Sequence, residues 1–378
     1  VSAQSFAIDI PGAILADLRE RLLRTRWPDA IGTGWDYGID QGYLRDLCAY
    51  WADGFDWRAQ ETRLNRFAHF RSEVDGLGIH YIHERSAGPD AVPLLLLHGW
   101  PGSFVQFLDL IPLLTHPAGD AGEGAVTFDV VAASLPGYGF SDRPTAPGMS
   151  AARMAPLFHT LMTEVLGYER YAVRASDLGA GVAGQLALLA PESLIGVHTG
   201  GTNPYIGEVP GELFPAEQQF VADAQRWMQT EMAYAMEHAS KPQTLAVGLN
   251  DSPAGLASWI VEKLWRWTDN DGNVESAIPR DDILTHLTLY WVTETINSSV
   301  RLYYETVRDP GQWGRSEVPR AYLMPDKDMF PTPREWVERS SRIDRWTQID
   351  RGGHFLEWEV PEIVAADLRA FFREQRAS

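Results

Sequence analysis

Cysteine occurs once in the chain, as Cys48. That excludes an intrachain disulfide and any thiolate metal cluster built from one copy, and it fits a reducing cytoplasm. Long apolar runs are missing. Stretches such as "VPLLLLHG" and "YAVRA" fall far short of the roughly 20 residues that cross a bilayer, and "VSAQSFAIDIPG" lacks the basic and apolar segments of a secretory leader. A soluble, cytoplasmic protein is expected. Basic charge is scarce, with 32 Lys and Arg against 51 Asp and Glu and a net charge of −19. Nucleic acid and anionic membranes both reward basic surfaces, so neither is an expected partner. G-x-S-x-G is absent, as are internal repeats and low-complexity tracts. No metal or cofactor motif appears, and none is expected to be bound.

The 378 residues, 45% of them hydrophobic, suffice for one large α/β domain with additions. Fourteen Trp, thirteen Tyr and fifteen Phe exceed what a core usually demands, so some are expected to line an apolar pocket. Up to about residue 90 the chain reads as helix, helix and hairpin: "PGAILADLRERLLRTRWPD", "YLRDLCAYWADGFDWRAQETRLNRF", then "RSEVDGLGIHYIHER" with Asp75-Gly76 at its turn. From residue 91 the texture changes. "VPLLLLHG", "TFDVVAASLPG", "YAVRAS", "LIGVHTG", "RAYLMP" and "WTQID" are buried-strand candidates, with helix-like stretches between several of them. This alternation implies a mostly parallel sheet covered on both faces. Residues 206–309 interrupt it with helical, Trp-rich sequence. An insertion there sits at the strands' C-terminal ends, where ligands bind, and reads as a cap or lid.

Three motifs carry chemistry. "YAVRASDLGAG" is a strand-to-helix turn whose small residues Ala175 and Gly179 flank Asp177, the pattern that presents a nucleophile on a sharp elbow. The other readings are a plain helix N-cap at Asp177 and Ser176 as nucleophile. "LLLLHGWPGSF" ends a buried strand where an α/β-hydrolase sheet supplies one oxyanion-hole N–H, the other coming from the residue after the nucleophile; the donors here are the amides of Trp100 and Leu178. "DRGGHFLEWEVPE" places His354 after the elbow, in the order nucleophile, acid, histidine, and Asp326 or Asp328 could orient its Nδ1–H.

Together with "RTRWPD", "FDWRAQETRLNRF" and "SKPQTLAVGLNDSPAGLASWIVEKL", these motifs resemble the microsomal-type epoxide hydrolase family from about residue 6 to 370. The resemblance implies an α/β-hydrolase fold with a mostly parallel sheet, a helical lid insertion and an N-terminal helical and hairpin extension. Its parts are a meander over 1–90, core over 91–205 and 310–378, and lid over 206–309. It also implies Asp177 as nucleophile, His354 as base and Asp328 as the histidine's partner, with Tyr234 and Tyr303 as the two residues that polarise the epoxide. Tyr304 is the adjacent rival for the second of these. The chain departs from the family at Leu178, where an aromatic residue is usual, and at His238, where glutamine is; no counterpart of the animal enzymes' N-terminal anchor is expected. Similar bacterial enzymes act in antibiotic pathways such as those of the enediynes.

The chemistry suits these residue types. Opening an epoxide is displacement at saturated carbon, for which a carboxylate is already anionic at neutral pH. The resulting ester on Asp177 can be hydrolysed by water activated at His354, with the Trp100 and Leu178 amides holding the oxyanion. The leaving alkoxide needs a donor, which a phenol supplies. Small-molecule epoxides, bulky or aromatic, and water are the expected partners; a homodimer is left open. The rivals are a haloalkane or fluoroacetate dehalogenase with the same Asp–His machinery, a serine-type esterase, and a catalytically dead binding protein.

Overall fold

The computed structural model describes residues 3–88, 90–116, 126–201, 211–312 and 314–377. Its nine strands form one sheet: β1 (Gln4–Ser5), β2 (His69–Val74), β3 (Leu77–Glu84), β4 (Val92–Leu97), β5 (Phe128–Ala133), β6 (Tyr171–Ser176), β7 (Leu194–Gly200), β8 (Arg320–Pro325) and β9 (Arg345–Ile349). Their spatial order is β1-β2-β3-β5-β4-β6-β7-β8-β9. The hairpin of β2 and β3 is antiparallel and joins β5 antiparallel, while every pairing from β5 through β4 to β9 is parallel. The six strand candidates beyond residue 91 became β4 to β9; β1 was not anticipated. Strand β4 shows why the central strands lack alternation. Leu94 to Leu97 are all fully buried, as a strand covered on both faces requires.

Three helices precede the hairpin: α1 (Gly12–Leu23), α2 (Gln41–Asp53) and α3 (Trp57–Leu64). The second helical stretch of the sequence is cut at Gly54, and Asp56 caps α3 by accepting the Ala59 N–H at 3.1 Å. In the core, α4 (Leu110–Thr115) packs with α15 (Pro361–Ala377), and α5 (Ala151–Thr160) with α6 (Asp177–Leu189). Two short helices, α13 (Arg334–Glu338) and α14 (Leu356–Glu359), lie near the C-terminal strands.

Between β7 and β8 the described residues form six α-helices, α7 (Pro215–Thr230), α8 (Ala233–Ser240), α9 (Pro242–Asp251), α10 (Pro253–Trp267), α11 (Arg280–Thr293) and α12 (Ile296–Arg308). The expected boundary at 205/206 lies outside the described residues. The helical sequence of this segment is interrupted without glycine or proline at Glu231–Met232 and at Glu294, whose φ of 52° is left-handed. Ser252 caps α10 by accepting the Gly255 N–H at 3.0 Å, with Pro253 in the first helical position. The N-terminal helices fasten this layer. Trp51 Nε1 donates to Thr288 Oγ1 and Tyr50 Oη to Asp281 Oδ1, both at 2.9 Å, and Arg63 pairs with Asp282. Among the described residues no helix is long and apolar enough to cross a membrane.

Candidate active site

Strand β6 passes into α6 through Ser176, extended and in the N-cap position, and Asp177, whose φ is 49°. A non-glycine residue there costs about 1–3 kcal/mol and persists only where packing over-determines it. Gly179 shows that packing: a Cβ on it would lie 2.5 Å from the His98 carbonyl oxygen and 2.6 Å from that of Leu97. Helix α6 therefore meets the end of β4 backbone to backbone, and Asp177 is thrust forward. Its carboxylate does not cap the helix. Oδ1 accepts the Trp100 N–H at 2.8 Å, and Oδ2 lies 3.4 Å from His354 Nε2. Leu178 follows in the first turn of α6, where backbone N–H groups have no intrahelical partner.

His354 is 2% exposed and donates from Nδ1 to Asp328 Oδ1 at 3.0 Å. Asp326 is turned elsewhere, accepting Gln348 Nε2 at 2.6 Å on the surface. Burial opposes charge on the His354 imidazole. The Asp328 and Asp177 carboxylates at its two nitrogens outweigh that and hold its pKa well above the ordinary value.

The loop bearing His354 docks on the end of α10: its N–H donates to the Trp267 carbonyl at 2.8 Å, and Gly353 leaves no room for a side chain against that same carbonyl. Glu359 secures both sides of the loop, accepting N–H groups of Asp269 (2.7 Å), Gly353 (2.8 Å) and Phe355 (2.9 Å). Burial pushes its carboxyl up to about 7 against the pull of those three amides. A second buried carboxylate, Glu357, meets Arg174 Nε at 2.9 Å, three residues ahead of Asp177 on β6. Arg174 also contacts His198 Nδ1 at 2.9 Å, and His198 Nε2 reaches Asp367 at 2.9 Å. Sequence reasoning missed Glu359, Glu357 and Arg174. The available signal was an arginine inside the apolar run "YAVRAS", where a buried charge needs a partner.

The tyrosines close the site from the helical layer. Tyr234 on α8 stacks on the Trp100 ring at 5.3 Å and 15°, and Tyr303 on α12 lies 6.0 Å from both the Tyr234 and Trp100 rings. Burial first, then neighbouring charge including that of Asp177, lifts both phenols well above their ordinary pKa, so they are donors at neutral pH. Tyr304 instead lies under the Arg308 guanidinium, 3.3 Å from its ring centre. Trp267 bridges the two halves, with its ring 5.2 Å from Tyr234 and 5.4 Å from His354. The structure thus brings Asp177, His354, Asp328, Trp100, Leu178, Tyr234 and Tyr303 together. Among the described residues no cluster of His, Cys, Asp or Glu could hold a metal ion.

Residues 3–107 match the family model described as epoxide hydrolase N terminus, and residues 92–244 that of the alpha/beta hydrolase fold. A Stigmatella aurantiaca protein named "Putative epoxide hydrolase" is 41% identical over 98% of this chain and 85% of its own length. Epoxide hydrolase 1 of Sus scrofa is 32% identical over 98% of this chain and 88% of its own. The crystal structure of juvenile hormone epoxide hydrolase from the silkworm Bombyx mori superposes with a TM-score of 0.87 at 32% identity, covering 99% of this chain and 94% of that one. With those matches spanning both the N-terminal extension and the sheet, the chain belongs to the microsomal-type epoxide hydrolase family and has the α/β-hydrolase fold.

Proposed function

We propose that the chain converts a small-molecule epoxide to a vicinal diol through an ester on Asp177, and that residues 206–309 act as the lid over that reaction. The carrying observation is the placement of one carboxylate, with Oδ1 on the Trp100 amide at 2.8 Å and Oδ2 3.4 Å from His354 Nε2. Oδ2 attacks the oxirane carbon while Tyr234 and Tyr303 donate to the departing oxygen. Asp177 then becomes a neutral ester. Its charge no longer raises the phenols, which become better acids as the alkoxide forms. Nor does it hold the proton on His354, so the imidazole becomes a base at the step that needs one.

Proton balance closes on this scheme. The imidazolium gives up one proton as the alkoxide takes one, and hydrolysis of the ester to carboxylate and diol returns it. During hydrolysis His354 takes a proton from water, the hydroxide attacks the Asp177 carbonyl, and Oδ1 carries the oxyanion against the Trp100 and Leu178 amides. Asp328 keeps the imidazole oriented. The rings of Trp100, Tyr234, Trp267 and Tyr303 favour a bulky or aromatic epoxide. A dehalogenase is disfavoured because halide leaves without a proton and has no use for paired phenols. The test is His354→Gln incubated with styrene oxide: the peptide containing Asp177 should gain the mass of the epoxide, and an unmodified peptide would sink the covalent scheme.

A further inference from the structure

His238 on α8 takes no part in the scheme above, yet it is fully buried and sits among the residues that do. Its ring centroid is 4.6 Å from that of Trp100, 5.0 Å from Tyr303 and 5.5 Å from Tyr234. The tautomer can be deduced. The indole N–H of Trp259 points at His238 Nε2 at 3.1 Å, and an indole can only donate, so Nε2 is the acceptor. Burial, aided by the nearby Lys263 ammonium, drives the pKa down to about 3, so the ring is neutral and its hydrogen is on Nδ1. That Nδ1 is buried and has no hydrogen-bond partner. The indole nitrogens of Trp100 and Trp267 are in the same condition. Three rings in contact with the phenols, those of His238, Trp100 and Trp267, thus each carry a buried donor without a partner. An unmet buried N–H is destabilising because it has lost its bond to water without gaining another, and an oxygen on the bound substrate would relieve it.

We propose that His238 Nδ1–H is a specificity-determining donor that hydrogen-bonds an ether, ester or carbonyl oxygen close to the oxirane, so that epoxides bearing such an acceptor are preferred over hydrocarbon epoxides of the same shape. This rests on the epoxide hydrolase reading. The competing use of the same hydrogen is an N–H contact with the face of Trp100, whose ring is nearly perpendicular at 82°. Such a contact would serve packing and would not distinguish one epoxide from another.

The test uses benzyl glycidyl ether and 2-(3-phenylpropyl)oxirane, which differ only by oxygen in place of a methylene, with diol formation by the wild-type enzyme as the readout. The kcat/KM ratio should favour the ether by about tenfold, the size of one neutral hydrogen bond. His238→Leu should bring the ratio close to one, while His238→Gln, which keeps an N–H donor, should retain most of it. Comparing ratios between enzymes cancels the ether's greater cost of leaving water. Equal kcat/KM for the two epoxides in the wild type would overturn the inference even if the leucine variant fails to fold. An ether preference that survives in His238→Leu would overturn it as well. Turnover of neither epoxide would overturn the epoxide reading and this inference with it, an outcome distinct from both others.

Discussion

Asp177 and His354 stand on the sheet side of the site and are held by the backbone, whereas Tyr234 and Tyr303 stand on the helical side and are held by rings. Below, Gly179 and Gly353 admit no side chain, three amides converge on Glu359, and Arg174 and Glu357 bind the nucleophile's strand to the histidine's loop. Above, Tyr234 and Tyr303 rest on Trp100 through aromatic contacts. Directional bonds fix a position to fractions of an ångström, as displacement and hydrolysis at one carboxylate both require. Ring packing fixes a position less sharply and can part without breaking strong bonds, as a wall that admits substrate must. Trp267 is where the two meet, its carbonyl on the His354 amide and its ring on Tyr234.

Removing the nucleophile breaks this contrast most severely. Asp177→Asn should lower kcat by roughly 10⁴-fold or more, with no covalent adduct in mass spectra and an unchanged circular dichroism spectrum. Next in size is Arg174→Met, which leaves Glu357 buried without its cation and should cost about 3–5 kcal/mol in urea unfolding. Arg174→Met combined with Glu357→Leu should recover part of that loss. If the single variant costs under about 1 kcal/mol, the sheet side is not held as described. On the other wall, Tyr234→Phe and Tyr303→Phe should each slow ester formation by about 10²-fold, with little change in stability. Single-turnover traces should show ester decay at the wild-type rate in both. Equal slowing of decay would mean that the two walls are not separate in function.

Much of the sheet side was legible from residues. Six short apolar runs marked β4 to β9, and small residues around Asp177 marked the elbow. Its supports were not. Arg174 and Glu357 are 183 positions apart, and only the folded sheet brings them together. Asp326 and Asp328 share one turn, as Tyr303 and Tyr304 share one helix, so residue type leaves both pairs open. Side-chain direction separates them: Asp328 turns to His354 and Asp326 to Gln348. The breaks between α7 and α8 and at Glu294 carry no glycine or proline. There tertiary packing overrides a continuous helical pattern, and those breaks aim Tyr234 and Tyr303 inward from separate helices.

The smallest effect expected concerns Glu359, which ties the histidine loop to the end of α10. Its carboxyl titrates near 7 in the folded chain against an ordinary 4.5, because burial penalises the charge more than the three amides reward it. The unfolded chain therefore holds fewer protons between those values, and stability falls as pH rises through that window. From about pH 5 to 7 the loss attributable to this group is about 2 kcal/mol. Glu359→Gln removes the titration. Its amide nitrogen, however, cannot accept, so at least one of the N–H groups of Asp269, Gly353 and Phe355 is left unmet, and the variant should start less stable at pH 5. The deficit relative to wild type, read from urea unfolding at each pH, should then shrink by about 2 kcal/mol as pH reaches 7. A deficit that stays constant would mean that Glu359 is ionised throughout, with its amides outweighing burial.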